Sequence, residues 1–315
     1  MPSPKTFWQA RYPRLRYGVV WLGFAMLRAI VRLPLRWQLA LGRTAGAMTR
    51  RLAVGRRKVA LRNLQICFPE LSDTERARLC KRHFEALGMS IVEMAMGWFG
   101  DPEKIERHVA FEGLDHLNRA IEARRGVILF SAHFTSFEIF FPILRRHCPR
   151  ISGMYKEQRN PLMNEIMNAG RGRNVDRLIA KDNVREMLRE LGHKGVFWYA
   201  SDQKFAGKSS ALIPFFGEPA MTNTAISRIA ARTGAIVLTY FCRRLDGPEP
   251  RYVATIGAPL PDFPTADASA DVRRLVAELE AFIRRCPEQY WWIHQRFSGR
   301  PESLPNIYAS KKSLP

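Results

Sequence analysis

Five short apolar runs rich in β-branched and aromatic residues, separated by segments of helical periodicity, constrain this chain more than any other feature. The runs are Gly126 to Ser131, Ile151 to Tyr155, Gly195 to Ser201, Ala235 to Cys242 and Arg251 to Ile256. Near-continuous hydrophobicity over so few residues is what a strand buried on both faces requires, and such strands need helices to cover them. Helical patterns fill the gaps, at about residues 136–146, 161–170, 182–191, 222–233 and 269–285. Strands alternating with helices predict an α/β fold, a central and largely parallel mixed sheet flanked by helices. At 315 residues the chain is long enough for one large domain with a smaller N-terminal unit.

The first run leads directly into Ala132-His133-Phe134-Thr135-Ser136-Phe137-Glu138. An imidazole and a carboxylate then stand where a buried strand turns into a helix, with residue types suited to a general base and its orienter. Thr135-x-x-Glu138 is also a capping box, and the two readings are compatible. No Gly-x-Ser-x-Gly elbow supplies a nucleophile, and none of the five scattered cysteines lies in a reactive-looking setting or has a Cys-x2-Cys partner. The attacking group would therefore come from the substrate, and His133 would take its proton.

Other polar residues border the same elements. Arg171 and Arg173 follow the helical pattern ending at Gly170, where either would hold a phosphate or balance charge. Asp202 ends the run Val196 to Ala200, on the strand edge where open α/β sheets place ligands, or it caps a loop there. The segment from Pro214 to Thr222 reads as an apolar loop entering a helix capped by Thr222, suited to an acyl-chain pocket or to core packing. Gly207-Lys208-Ser209 lacks the leading glycine of a P-loop, since Asp202 stands there, and ATP binding is set aside. A further helix is expected from Asp73 to Phe99, capped near Leu71-Ser72.

The net charge of +21 predicts anionic partners: a membrane, a phosphorylated ligand, an acidic protein or a nucleic acid. Its distribution narrows these. No Asp or Glu precedes Glu70, whereas cations run from Lys5 and Arg11 through Arg62. Among them lies the apolar stretch Tyr17 to Leu27, shorter than a spanning helix needs and followed by Arg28 and Arg32 on one helical face. With Trp8, Trp21 and Trp37 this predicts a membrane-associated N-terminal helix whose arginines reach anionic headgroups. A tilted span and a buried helix are the alternatives. The expected organisation is a basic anchor over residues 1–45, a catalytic domain over 46–297 and a polar tail over 298–315. A nucleic-acid-binding role would rest on charge alone, because no such motif is present.

Taken in order, these residues resemble the late acyltransferases of bacterial lipid A synthesis, the lauroyl/myristoyl transferase family. The resemblance is carried by Asn63-Leu64, Cys67-Phe68-Pro69-Glu70-Leu71, His133 to Glu138, Asn160-Pro161-Leu162, Arg171 and Ser201-Asp202-Gln203. It continues through Ile213 to Thr222, Arg232 to Ala235 and Pro287 to Phe297, so that it covers nearly the whole chain.

The resemblance implies a glycerolipid-acyltransferase-like fold and an O-acyltransferase at the bacterial inner membrane, its catalytic domain facing the cytoplasm. Such an enzyme takes a fatty acyl group from acyl carrier protein and places it on a hydroxyl of an acyl chain of the Kdo-bearing lipid A precursor. No metal or dissociable cofactor is implied. Glu138 would orient His133, and His133 would deprotonate the acceptor. Arg171, or backbone N–H groups at the helix N-terminus, would stabilise the oxyanion, with Asp202 in a supporting role. A different envelope lipid, such as a phosphatidylinositol mannoside, is the alternative acceptor. The wider glycerolipid acyltransferases have an Asn or a similar residue before the His, an Asp at the end of the motif and a Phe-Pro-Glu-Gly loop. This chain has Ala132, Glu138 and Phe215-Phe216-Gly217-Glu218 instead, which disfavours a glycerol-phosphate acceptor.

Overall fold

A computed structural model describes residues 14–247 and 251–309. Lys5, Trp8 and Arg11 lie outside the described residues. Four helices come first: α1 (Arg14–Ile30), α2 (Leu35–Leu52), α3 (Val54–Cys67) and α4 (Asp73–Phe99). The start of α4 is set by a capping box at the expected place. Ser72 Oγ accepts from the Glu75 N–H, and Glu75 Oε2 accepts from the Ser72 N–H at 2.7 Å. Helix α2 lies against α4 at glycines. A methyl on Gly46 would stand 2.0 Å from the Phe84 carbonyl oxygen, and one on Gly88 would stand 2.1 Å from that of Gly42. Backbone approach this close excludes any side chain.

None of the described helices is long and apolar enough to cross a membrane. Helix α1 buries Phe24 between Trp98 and Phe99 of α4, while Val19, Leu22 and Met26 are exposed. Arg28 is exposed and lies over the Phe99 ring, 4.7 Å from its centroid, a cation–π contact.

The helices lead into a seven-stranded sheet in the order β1-β9-β8-β2-β5-β3-β4. Its strands are β1 (Val109–Glu112), β2 (Val127–Ser131), β3 (Ile151–Tyr155), β4 (Arg177–Ala180), β5 (Val196–Ala200), β8 (Ile236–Leu245) and β9 (Arg251–Ile256). Every pairing is parallel except β8 with β9. Alternation along β2 builds two cores. Ile128 and Phe130 face one, with Leu64 of α3, Phe84 of α4 and helices α9 (Val184–Gly192), α10 (Ala225–Thr233) and α11 (Ala268–Arg285). Val127 and Leu129 face the other, with helices α6 (Leu114–Glu122) and α7 (Phe141–His147). The remaining helices are α5 (Pro102–Glu106) and α8 (Pro161–Arg171).

Three expectations are corrected. Residues 136–146 are not one helix: a 3-10 turn, Phe137–Phe140, precedes α7. The hydroxyl of Thr135 is buried without a hydrogen-bond partner, so no capping box forms there. The segment from Pro214 to Thr222 is a hairpin, β6 (Ser210–Phe215) with β7 (Glu218–Asn223), turned by Phe216 at φ 51° and Gly217 at φ 79°. Positive φ at both turn residues is the two-residue geometry that matches strand twist. Pro214 and Pro219 occupy one register pair, so the two missing donors fall together. Thr222 accordingly caps no helix. It accepts from Arg296 Nη2 at 2.6 Å, and Phe215 packs in the core against Tyr290 and Phe297.

Beyond Phe297 the chain remains attached to α3. Ile307 is buried, and the Tyr308 hydroxyl donates to Asn63 Oδ1 at 2.6 Å.

Candidate active site

Register brings the site together. Ser131 at the end of β2 pairs with Ala200 at the end of β5, and His133 and Asp202 each lie two residues further on. Adjacent parallel strands therefore deliver an imidazole and a carboxylate side by side at the C-terminal edge of the sheet. His133 Nδ1 lies 2.6 Å from Asp202 Oδ1, and the His133 backbone N–H donates to Asp202 Oδ2 at 3.1 Å. The Asp202 side chain is 1% exposed and that of His133 29%, so the carboxylate is sequestered while the ring reaches the surface of the cleft.

Burial by itself would lower the pKa of His133, but the Asp202 charge and hydrogen bond outweigh it and raise the pKa above its ordinary value. Burial would likewise raise that of Asp202, yet the facing imidazole and its hydrogen bonds hold the carboxyl below the usual range. An Nδ1–H held by a carboxylate leaves the lone pair on Nε2, where it can accept a proton.

Glu138 is engaged elsewhere. Arg171 Nε donates to Glu138 Oε1 at 2.8 Å, Arg171 Nη2 donates to the same oxygen, and Trp98 Nε1 donates to Glu138 Oε2 at 3.1 Å. Asp202, and not Glu138, thus occupies the place on the ring expected of an orienting carboxylate, while Glu138 holds Arg171. The indole reaches Glu138 because Gly170 leaves room: a methyl there would stand 2.6 Å from the Trp98 ring. Arg173 lines neither cavity at His133, and its Nη1 donates to the Trp98 carbonyl near the end of α4 at 3.0 Å. The next residue, Asn174, donates to the Gly97 carbonyl at 2.7 Å.

Two cavities meet at His133. The narrower, about 190 Å³, is lined by Phe137, Phe141, Met167 and Trp198, with Glu138 and Arg171 at its polar end. The wider, about 740 Å³, opens over α9 and α10, with Met187, Leu188 and Ile229 in its wall. Both contain His133, Met154 and Lys156.

The C-terminal segment locks the catalytic loop in place. Phe134 forms a β-bridge with Tyr290, and the Thr135 N–H donates to the Gln289 carbonyl at 2.8 Å. His294, to which the sequence reading gives no role, lines the wider cavity, where its Nε2 accepts from the Lys204 N–H at 3.3 Å. Burial pushes its pKa down to about 4, so it is neutral near pH 7. Trp98 is also absent from the sequence-derived candidates. A Trp near the end of a long helix looks like core, and only the fold shows its N–H aimed at Glu138. Among the described residues no group of three or more His, Cys, Asp or Glu is placed to hold a metal ion. The five cysteines are free and buried, and burial raises each thiol pKa, which suppresses the thiolate.

A carboxylate-held imidazole beside an arginine, at the meeting point of an apolar slot and a wider cleft, is equipped to deprotonate a hydroxyl and stabilise an oxyanion. Similarity to known proteins points the same way. Residues 5–298 match the family described as bacterial lipid A biosynthesis acyltransferase. The chain is 32% identical to the lipid A biosynthesis lauroyltransferase of Escherichia coli K12, covering 93% of this chain and 95% of that one. It is 33% identical to the palmitoleoyltransferase of the same organism over the same shares of the two chains, and 28% identical to its myristoyltransferase over 97% and 94%. The chain belongs to the bacterial lipid A biosynthesis acyltransferase family.

Proposed function

We propose that this protein transfers a fatty acyl group from an acyl carrier protein thioester to a hydroxyl of an acyl chain on the Kdo-bearing lipid A precursor. The observation that carries the reading is the His133–Asp202 pair at the junction of two cavities. A transfer between two lipids needs two seats that share one base. The narrower slot, with aromatic walls and Arg171, suits the donor chain and its thioester carbonyl, and the wider one suits the acceptor.

His133 Nε2 takes the proton of the acceptor hydroxyl as its oxygen attacks the thioester carbonyl. The C=O electrons move to an oxyanion faced by Arg171, whose remaining Nη1 group is the donor not directed at Glu138. Collapse of the tetrahedral intermediate breaks the C–S bond, and the imidazolium returns its proton to the departing thiolate. No covalent acyl-enzyme forms, and these steps call on no cofactor.

The acidic carrier and an anionic bilayer both complement a chain of +21. The exposed apolar side chains Val19, Leu22 and Met26 of α1 and Trp37 and Leu41 of α2 are suited to enter the cytoplasmic leaflet of the inner membrane. The test is transfer from acyl carrier protein thioesters to the precursor by purified protein, read by mass spectrometry. Wild type should add one acyl ester and His133→Ala should lose at least 10³-fold, on the order expected for a general base. Full transfer by a folded His133→Ala protein would overturn the mechanism. Wild-type acylation of another lipid but not of the precursor would overturn the acceptor.

A further inference from the structure

The wider cavity carries more charge than the chemistry at His133 uses. Five cations stand on it: Lys156 follows β3, Lys181 follows β4, Lys204 follows β5, and Arg228 and Arg232 lie four apart on one face of α10. The three lysines sit at the same edge of the sheet as His133, and the two arginines line the cavity from α10. Lys181 is paired with Asp182 at 2.8 Å, and Asp182 is the one acidic residue in the lining. The side chains of Lys156, Lys204, Arg228 and Arg232 have no hydrogen bond or ion pair to a protein group among the described residues. Several arginines outside the cleft are matched, among them Arg145 with Asp176, Arg150 with Glu190 and Arg177 with Glu186. Four exposed, unmatched cations around one cleft give it a positive potential that favours an anion between them.

We infer that the wider cavity is a phosphate clamp for the acceptor's sugar headgroup, in which Arg228 and Arg232 grip one phosphomonoester and Lys204 and Lys156 face it from the strand ends. The inference rests on the acyl-transfer reading above. Guanidinium pairs suit planar, two-point contact with phosphate oxygens, and lysines add mobile point charge. The floor supports the same occupant: Met187, Leu188 and Ile229 give apolar surface beneath the cationic rim, as a ligand with a charged head and hydrocarbon tails needs. Size separates the two substrates. A cavity of about 740 Å³ accepts a sugar with attached chains, whereas about 190 Å³ accommodates part of a single chain. A phosphodiester on the donor's carrier arm has the same chemistry, and it is assigned to the other side of His133 because the thioester must lie beside Arg171.

The test compares wild type with Arg228→Ala/Arg232→Ala in the full chain, varying acceptor and donor separately. The variant should raise KM for the phosphorylated acceptor at least about tenfold, the worth of one charged hydrogen bond, with kcat within twofold and donor KM unchanged. With acceptor treated by a phosphatase, wild type and variant should have equal KM. Arg228→Lys/Arg232→Lys should recover part of the loss, and Arg78→Ala/Arg273→Ala, which removes equal charge from positions that do not line the cleft, should not reproduce it. Equilibrium binding of the same lipid in detergent micelles, with and without its phosphates, reads the clamp without turnover. A failure of acyl transfer in wild type is thereby distinguished from a failure of the clamp. A rise in donor KM alone, or acceptor binding indifferent to both the phosphates and the arginines, would overturn the assignment.

Discussion

Asp202 holds His133 at two points, with one carboxylate oxygen on the ring Nδ1 at 2.6 Å and the other on the backbone N–H at 3.1 Å. The first contact fixes the tautomer. The second fixes the loop that carries the ring. Asp202→Asn keeps the size of the side chain but removes the charge that favours Nδ1–H, so the base nitrogen is presented less often and the imidazolium formed on proton uptake is less stabilised. The expected outcome is a fall in kcat of about 10³–10⁴-fold with substrate KM changed little, measured by steady-state acyl transfer. A fall smaller than tenfold would show that Asp202 supports the loop alone.

The same pair predicts the pH profile. A general base works in its neutral form, and the Asp202 charge outweighs burial to raise the pKa of His133. The ascending limb of kcat/KM should therefore lie above pH 6.5, the ordinary histidine value. In Asp202→Asn burial is opposed only weakly, and the limb should move to lower pH. The charged groups facing the ring besides Asp202 are Arg171, which lowers its pKa, and Glu138, which raises it. Folding should follow the opposite sense. A histidine with a raised folded-state pKa contributes stability that is present below the unfolded value and is lost as pH rises through the folded one. Urea denaturation of wild type and Asp202→Asn at several pH values measures that difference.

Glu138 and Arg171 form the second unit. Glu138 is 5% exposed and the Arg171 side chain 22%, so removing the carboxylate leaves a partly buried guanidinium without its partner. Glu138→Ala should cost about 2–4 kcal/mol, toward the lower end of the range for breaking buried pairs because Arg171 retains some solvent. The double variant Glu138→Ala/Arg171→Ala should be more stable than Glu138→Ala and equally inactive. The pH limb separates the roles: Glu138→Gln should lower turnover while moving the limb much less than Asp202→Asn does. A shift as large as that of Asp202→Asn would mean that Glu138 acts through His133 rather than through Arg171.

The interior of the sheet was legible because buried strands leave continuous apolar runs: the expected spans at Ile151 to Tyr155 and Arg251 to Ile256 match β3 and β9 at both ends. Edge strands leave weaker marks. Strand β1 alternates half-buried and exposed residues over Val109–Glu112, and β4 begins on the exposed Arg177. The hairpin was hidden by Pro214 and Pro219, which read as loop until their shared register position is known. In the site, a spacing of only four intervening residues makes Glu138 the natural partner of His133, whereas the actual partner, Asp202, is 69 residues away. That pairing depends on β5 lying next to β2, a fact about strand order that no local spacing encodes. Asp202 could be found as a strand-end carboxylate, but its partner could not.

Gly97 offers a test of how tightly α4 is fitted to this site. A methyl group there would stand 2.5 Å from the Glu138 carbonyl oxygen and 3.1 Å from its carbon, and a backbone neighbour cannot rotate aside as a side chain can. Either α4 or the 3-10 turn carrying Glu138 must move. Gly97→Ala should therefore lose about 1–3 kcal/mol, the usual range for overpacking, despite the better helix propensity of alanine. Turnover should fall as well, because displacement of Glu138 carries Arg171 with it. Gly55→Ala is the matched control: it also lies in a helix, and nothing stands within 4 Å of the added methyl. Its stability should hold or rise by up to about 1 kcal/mol, with wild-type turnover. Thermal melts and steady-state rates for the two variants check both statements, and equal behaviour of Gly97→Ala and Gly55→Ala would show that the contact between α4 and Glu138 has slack.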